Sequence, residues 1–262
     1  MRIWWVLFKK EVAEAGRNFK WVWLPIVFIL LGIMQPVTSY YLPDLLEQFG
    51  DLPDGAVLEI PLPSGAQVLA GTFGQFSQIG LLVLVLAFMG TISNEKNLGT
   101  HVMVLVKPVS FKSYIVAKWL HILLIAFSSF IAGYCAAIYY TFHLIENVPF
   151  LNIINAGLIY LLWLTFYLTL MVSLSALSKS TAFVAFMTLA AAALFTLLST
   201  YIPEAMRWSP GILSAHSQAV LQSGTPDSYF WLSSSMTVLA IILLLIGSIL
   251  IFNKKELTQS TS

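Results

Sequence analysis

The chain has 262 residues, 58% of them hydrophobic and only 10% charged, with a mean hydropathy of +0.85. Soluble domains carry about a quarter charged residues, so this composition excludes an ordinary soluble domain and indicates a membrane protein. The formal net charge of +1 hides a strong asymmetry along the chain, no nucleic-acid partner is expected, and the one cysteine, Cys135, lies in an apolar run, leaving no disulfide framework and no thiol metal site.

At the N-terminus, the apolar cluster Ile3 to Phe8 is too short for a cleavable signal and is followed by Lys9-Lys10-Glu11 instead of a small-residue cleavage site. Residues 2 to 20 carry too many charges to cross a bilayer. On a helical wheel Trp4, Trp5, Phe8, Val12, Ala15 and Phe19 share one arc, and Arg2, Lys9, Lys10, Glu14, Arg17 and Lys20 share the opposite one, with Ile3 and Val6 breaking the pattern. That is an amphipathic helix with aromatic anchors and a basic face, suited to the headgroup region. The competing reading is a cytoplasmic helix packed on a partner.

Six apolar runs long enough to cross a ~30 Å hydrocarbon core follow, at about 21–42, 73–93, 119–142, 151–177, 182–202 and 231–252. Pro25 falls in the first turn of the first span, where a missing N–H costs little, whereas Pro36 lies deep in it and is expected to kink it. Only Ser178-Lys179-Ser180-Thr181 separates the fourth and fifth spans, which predicts a tight helical hairpin. Of the 13 Lys and Arg residues, all but Arg207 fall on one side of this six-span arrangement. The other side holds Arg207 with Asp44, Glu47, Asp51, Asp54, Glu59, Glu146, Glu204 and Asp227. The positive-inside rule therefore places both termini in the cytoplasm.

Two outer connections are long. Residues 43–72 contain Pro43, Pro53, Pro61 and Pro63, and Ser64 is placed to N-cap the helix that becomes the second span. Residues 203–230 are apolar but broken, with a short helix expected around Ile212 to Gln222 that can dip back into the membrane where protein or water satisfies its backbone.

No catalytic set emerges. His101, His121, His143 and His216 are scattered, without HExxH or i, i+4 spacing, and the chain has neither a GxSxG elbow nor a GxxxxGK[ST] phosphate loop. The span interiors as drawn hold no Asp, Glu, Lys or Arg, which argues against an ion-coupled transporter and an intramembrane hydrolase. Uncharged polar residues do occur there. Gln35, Thr38 and Ser39 lie in the first span, Gln75, Ser77 and Gln78 in the second, and Asn155, Thr165, Thr169, Ser173 and Ser175 in the fourth. Gln35, Gln75, Gln78 and Asn155 are candidates for lining a substrate path between subunits; for each alone, interhelical hydrogen bonding is the commoner role. Tyr40, Tyr41, Trp208, Tyr229 and Trp231 suit the interfacial belt.

The one charged, punctuated stretch between two spans is Asn94 to Lys118, NEKNLGTHVMVLVKPVSFKSYIVAK. Helical placement of 95–106 puts Leu98, Val102, Leu105 and Val106 on one side, with Lys96, Thr100 and Lys107 on the other. Pro108 stops that helix and Ser110 caps the next. The order Glu95, Gly99-Thr100, Leu105, Lys107-Pro108-Val109-Ser110, Lys118 resembles the cytoplasmic loop of ABC-2-type exporter permeases. Phe111 stands where that family often has Arg, with Lys112 the nearest base, and Ala117 stands where Gly is common. The resemblance covers the whole chain, from the N-terminal helix with its Lys-Lys-Glu through six spans to the broken helices before the last.

The resemblance implies an all-α membrane protein forming a single transmembrane domain over 1–262, with an interfacial helix at 1–20, a coupling loop at 94–118 and extracellular broken helices at 203–230. It implies the permease subunit of an ATP-driven exporter in a bacterial cytoplasmic membrane. That subunit would pair with a second permease copy or paralogue and rest on a separate ATP-binding subunit, which would hold ATP and Mg; no cofactor or metal is expected in this chain. Coupling would fall to Glu95, Lys96, Gly99, Thr100, Leu105, Lys107, Pro108 and Lys118, together with Trp4, Trp5, Phe8, Lys9, Lys10 and Glu11 of the first helix. The alternative is a non-transporting scaffold or sensor for an antimicrobial compound. Substrate-stimulated ATP hydrolysis on adding the ATPase distinguishes the two.

Overall fold

The computed structural model describes residues 3–49, 62–98 and 110–259, with side chains over 4–43, 62–98 and 110–251. Every regular element among them is helical. In chain order these are α1 (Ile3–Arg17), α2 (Lys20–Phe49), α3 (Gly65–Gln75), a π-helical turn (Phe76–Gly80), α4 (Leu81–Phe88), α5 (Ser93–Asn97), α6 (Phe111–Leu144), α7 (Phe150–Leu177), α8 (Thr181–Tyr201), a 3-10 turn (Pro210–Ile212), α9 (Leu213–Ser223) and α10 (Phe230–Gln259).

Six stretches are long and apolar enough to cross a membrane: Lys20–Pro43, Gly65–Asn97, Phe111–Leu144, Phe150–Leu177, Thr181–Tyr201 and Phe230–Ile251. They are the six expected, but several run past the hydropathy boundaries. α6 begins at Phe111, so Lys112 and Lys118 lie within its first turns and not in a loop before it. Charged residues lower a hydropathy average without interrupting a helix, which explains the difference.

The starts follow local chemistry. Ser64 accepts from the Gln67 N–H at 3.3 Å while its own N–H donates to Gln67 Oε1 at 3.0 Å, a reciprocal capping box. The next N–H, of Gly65, donates to Glu146 Oε1 at 2.8 Å. Ser110 accepts from the Ser113 N–H at the head of α6, and Ser180 from the Phe183 N–H at the head of α8. α9 lies where a short helix was expected and ends on Gly224 at φ 77°, the left-handed conformation that glycine adopts without a Cβ penalty. α1 ends at Arg17, and Phe19 has φ 55° at the elbow before α2, so Phe19 does not extend the wheel arc drawn through Trp4 and Ala15.

α2 and α6 form the most extensive helix pair. They cross where Gly32 meets Gly133: a Cβ on Gly32 would stand 2.1 Å from the Gly133 carbonyl oxygen, and one on Gly133 would stand 2.4 Å from that of Phe28. In hydrocarbon, where burial from water no longer drives helix association, such backbone approach supplies the dispersion contact. α7 forms the centre, with 67% of its apolar window buried against 22% for α8 and 17% for α10. Its Tyr160, Trp163 and Tyr167 are fully enclosed, and Tyr160 stacks on Phe130 at 4.9 Å and on Phe73 at 4.8 Å. α8 and α10 turn Phe186, Leu194, Leu243 and Leu250 outward, as lipid-facing helices do.

Candidate functional site

At the end of the bundle that carries α1, three helices meet on one lysine. α1 lays Leu7, Glu11 and Ala15 against the core, a stripe at i, i+4 and i+8. Glu11 thus faces inward, where it meets Lys118 of α6: Lys118 Nζ donates to Glu11 Oε1 at 3.0 Å and to Glu95 Oε1 of α5 at 2.9 Å. The Lys118 side chain is 3% exposed and those of Glu11 and Glu95 are 9% and 18% exposed. Tyr114, one turn earlier on α6, donates its hydroxyl to Glu95, and Lys118 lies 5.3 Å from the Tyr114 ring centroid. Lys10, half in solvent, stands 3.7 Å from Glu95 and 3.8 Å from Glu11. Two carboxylates and two ammonium groups balance, which is the condition for keeping charge in so enclosed a place.

α5 is pinned on its other side to the end of α7. Ser175 Oγ accepts from the N–H groups of Ile92 and Ser93 at 3.1 and 3.0 Å and donates to the Met89 carbonyl at 3.2 Å. Ser175 therefore satisfies N–H groups at the start of α5 that no preceding helical turn can satisfy. Lys96 Nζ donates to the Ala176 carbonyl, at the negative end of α7, and Asn97 Nδ2 donates to the Lys179 carbonyl at 2.8 Å in the turn before α8. A five-residue helix thus ties α1 and α6 to the α7–α8 hairpin.

The sequence-predicted residues distribute unevenly over this arrangement. Glu95, Lys96, Lys118, Lys10 and Glu11 come together. Gly99, Thr100, Leu105, Lys107 and Pro108 lie outside the described residues, as does most of the helix expected over 95–106. Trp4 and Phe8 are half-buried while Trp5 and Lys9 are exposed; Trp5 stacks on Phe8 at 5.6 Å, and Lys9 lies 5.5 Å from the Trp5 ring centroid. Gln35 and Gln75 pair at 2.8 Å, and Gln78 is exposed on the π-helical turn. Asn155 lies on the exposed stripe of α7 with Leu151, Ile154 and Leu158. The residues that sequence reasoning missed here are Tyr114 and Ser175. Tyr114 stands one turn before Lys118, the spacing of neighbours on a helix face; the position of Ser175 near the end of a span gave no pointer to α5.

The bases whose side chains are described segregate along the fold: Lys9, Lys10, Arg17, Lys20, Lys96, Lys112, Lys118 and Lys179 lie on α1, on α5, at the starts of α2 and α6 or in the turn between α7 and α8, whereas Arg207 lies in the connection after α8, paired with Glu204 at 3.1 Å.

Comparison with known proteins agrees with this architecture. The profile of the ABC-2 family transporter proteins matches residues 5–209. The chain is 31% identical over 256 residues to the uncharacterized transmembrane protein YxlG of Bacillus subtilis (strain 168), covering 98% of this chain and 99% of that one. With six apolar spans, these matches indicate a multi-pass bacterial membrane protein with a permease-type role, in a family whose members are membrane components and generally not catalytic. The chain belongs to the ABC-2 family of transporter proteins.

Proposed function

We propose that this chain is the membrane subunit of an ATP-driven exporter, paired with a second permease copy or a paralogue and resting on separately encoded ATP-binding subunits that hold ATP and Mg. Both termini face the cytoplasm, by the lysine and arginine asymmetry. The observation that carries the reading is the joint at α5. Glu95 and Lys118 bind α5 to α6 and, through Glu11, to α1, while Ser175 and Ala176 bind it to α7. Force applied to α5 is passed to α1, α6 and α7 through these side-chain contacts. An ATP-binding partner shifts a two-state membrane domain only through contacts that differ between the states, and this joint offers such contacts a rigid route inward. Gln35, Gln75 and Gln78, with Asn155 on α7, line the cargo path in this reading.

The test is co-purification with the ATP-binding protein encoded beside this chain, followed by ATP hydrolysis in lipid with and without candidate cargo. A stable complex whose hydrolysis rises with cargo supports the exporter. Failure of every neighbouring ATP-binding protein to bind would sink it.

A further inference from the structure

A cavity of about 570 Å³ opens between α1, the start of α2 and the turn that follows α4. Some of the charge on its walls is already committed: Lys118 is held by Glu11 and Glu95, and Lys10 leans on the same carboxylates. Lys20, His121 and Glu14 remain. His121 is 5% exposed, and neither ring nitrogen has a hydrogen-bond partner among the described residues. Lys20 donates to the Ala87 carbonyl at 2.7 Å, which leaves two of the three N–H donors of an ammonium. Both groups flank Phe88, Lys20 at 4.6 Å from the ring centroid and His121 edge-on at 6.1 Å. Glu14 is exposed at the rim on α1.

Buried nitrogens left without partners are costly, and His121 lines this cavity together with the Lys20 ammonium, so a ligand seated here that brings an acceptor relieves that cost. The required ligand carries an anionic oxygen for Lys20 and His121 and a hydrogen-bonding cation for Glu14. The cavity is also continuous with an apolar strip. Leu86 lines it, and Leu86, Leu82 and Ile79 are exposed in succession down α4 and the π-helical turn, on the side a bilayer would cover. A free anion has no use for that strip; an acyl chain does.

We propose that this cavity binds the headgroup of a phosphatidylethanolamine-type phospholipid, with the phosphate on Lys20 and His121, the ammonium on Glu14, and an acyl chain along Leu86, Leu82 and Ile79. A quaternary ammonium lacks the N–H donors that Glu14 would accept, and a glycerol headgroup lacks the cation. The site thus selects ethanolamine over choline and glycerol.

The full chain, purified in detergent and delipidated, is titrated with phosphatidylethanolamine, phosphatidylcholine and phosphatidylglycerol, and bound lipid is read by native mass spectrometry. One phosphatidylethanolamine per chain is expected, preferred about tenfold over the other two, the size of one charge-assisted hydrogen bond. Lys20→Gln and His121→Phe should each weaken that binding about tenfold. Glu14→Gln, at an exposed position that leaves the fold intact, should abolish the preference for ethanolamine over choline while phosphatidylcholine still binds. Equal binding of all three lipids, or an unchanged preference in Glu14→Gln, overturns the proposal. Displacement of the lipid by soluble phosphoethanolamine or inorganic phosphate at matching concentration overturns the lipid assignment in favour of a free phosphate.

Discussion

Lys118 and Glu11 stand 107 positions apart in the chain, yet their charged atoms meet at 3.0 Å in a site almost closed to solvent. The pair fixes α1 to α6, and its energetics differ from those of a surface ion pair. Removing one partner of a buried pair strands a charge, whereas replacing all partners together by neutral groups of similar size is often tolerated.

Lys118→Met is therefore expected to lower stability by about 3–5 kcal/mol, because Glu11 and Glu95 are left facing one another. Adding Glu11→Gln and Glu95→Gln to it should recover much of the loss. Thermal unfolding in detergent, read by size-exclusion fluorescence, checks both arms. If Lys118→Met unfolds at the wild-type temperature, the joint does not hold α1 in place.

The α2–α6 crossing makes a separate prediction. A Cβ on Gly32 would lie 2.1 Å from a backbone oxygen of α6, an atom that cannot rotate away. Gly32→Ala should cost at least the ~1–3 kcal/mol typical of overpacking and reduce the yield of monodisperse protein. Gly247→Ala, where nothing lies within 4 Å of the added carbon, is the control and should behave as wild type.

Much of this fold was legible from sequence, because a span is a local property. Twenty apolar residues in a row declare themselves, and so do the caps at Ser64 and Ser110 and the tight turn after Leu177, which is one residue shorter than expected because Thr181 already begins α8. The joint was only half legible. Resemblance to a family loop singles out Glu95 and Lys118, whereas the sequence pattern places Glu11 on an interfacial helix. That the three share one site depends on the angle at which α1 crosses α6, which no wheel encodes. The wheel's apolar arc runs through Trp4, Phe8, Val12 and Ala15, but the buried stripe is Leu7, Glu11 and Ala15; Ala15 is common to both, and pairing with Lys118 turns the acidic Glu11 inward. Lys20, read as part of the basic face of the first helix, instead begins α2 and binds the Ala87 carbonyl.

Ser175 provides the test of whether α5 transmits force. Ser175→Ala leaves the N–H groups of Ile92 and Ser93 without their acceptor, at a cost of about 1–3 kcal/mol for a buried unsatisfied group. The spans keep their packing, so the variant should assemble normally. Hydrogen exchange should quicken at residues 92 and 93, and stimulation of the partner's ATP hydrolysis by cargo should fall while basal hydrolysis persists. Unchanged stimulation together with quickened exchange would remove α5 from the coupling route.

At the opposite end of the bundle, His216 of α9 is fully buried, edge-on to Phe230 at 5.8 Å, with Nδ1 3.6 Å from Asp227 Oδ2. Burial pushes its pKa below the ordinary 6.5, and the nearby Asp227 carboxylate opposes that shift only in part. The folded form thus binds a proton less readily than the unfolded one. Its contribution to stability is complete above 6.5 and is lost as pH falls from there through the lower folded value. Hydrogen exchange over residues 213–223 should be slow near neutral pH and quicken as acid protonates the ring, since an imidazolium in that site must either recruit Asp227 fully or leave. His216→Leu should flatten this dependence and Asp227→Asn should steepen it, because removing the carboxylate lowers the folded pKa further. An α9 whose exchange has the same pH profile in all three proteins would mean that its seating does not depend on the charge of His216.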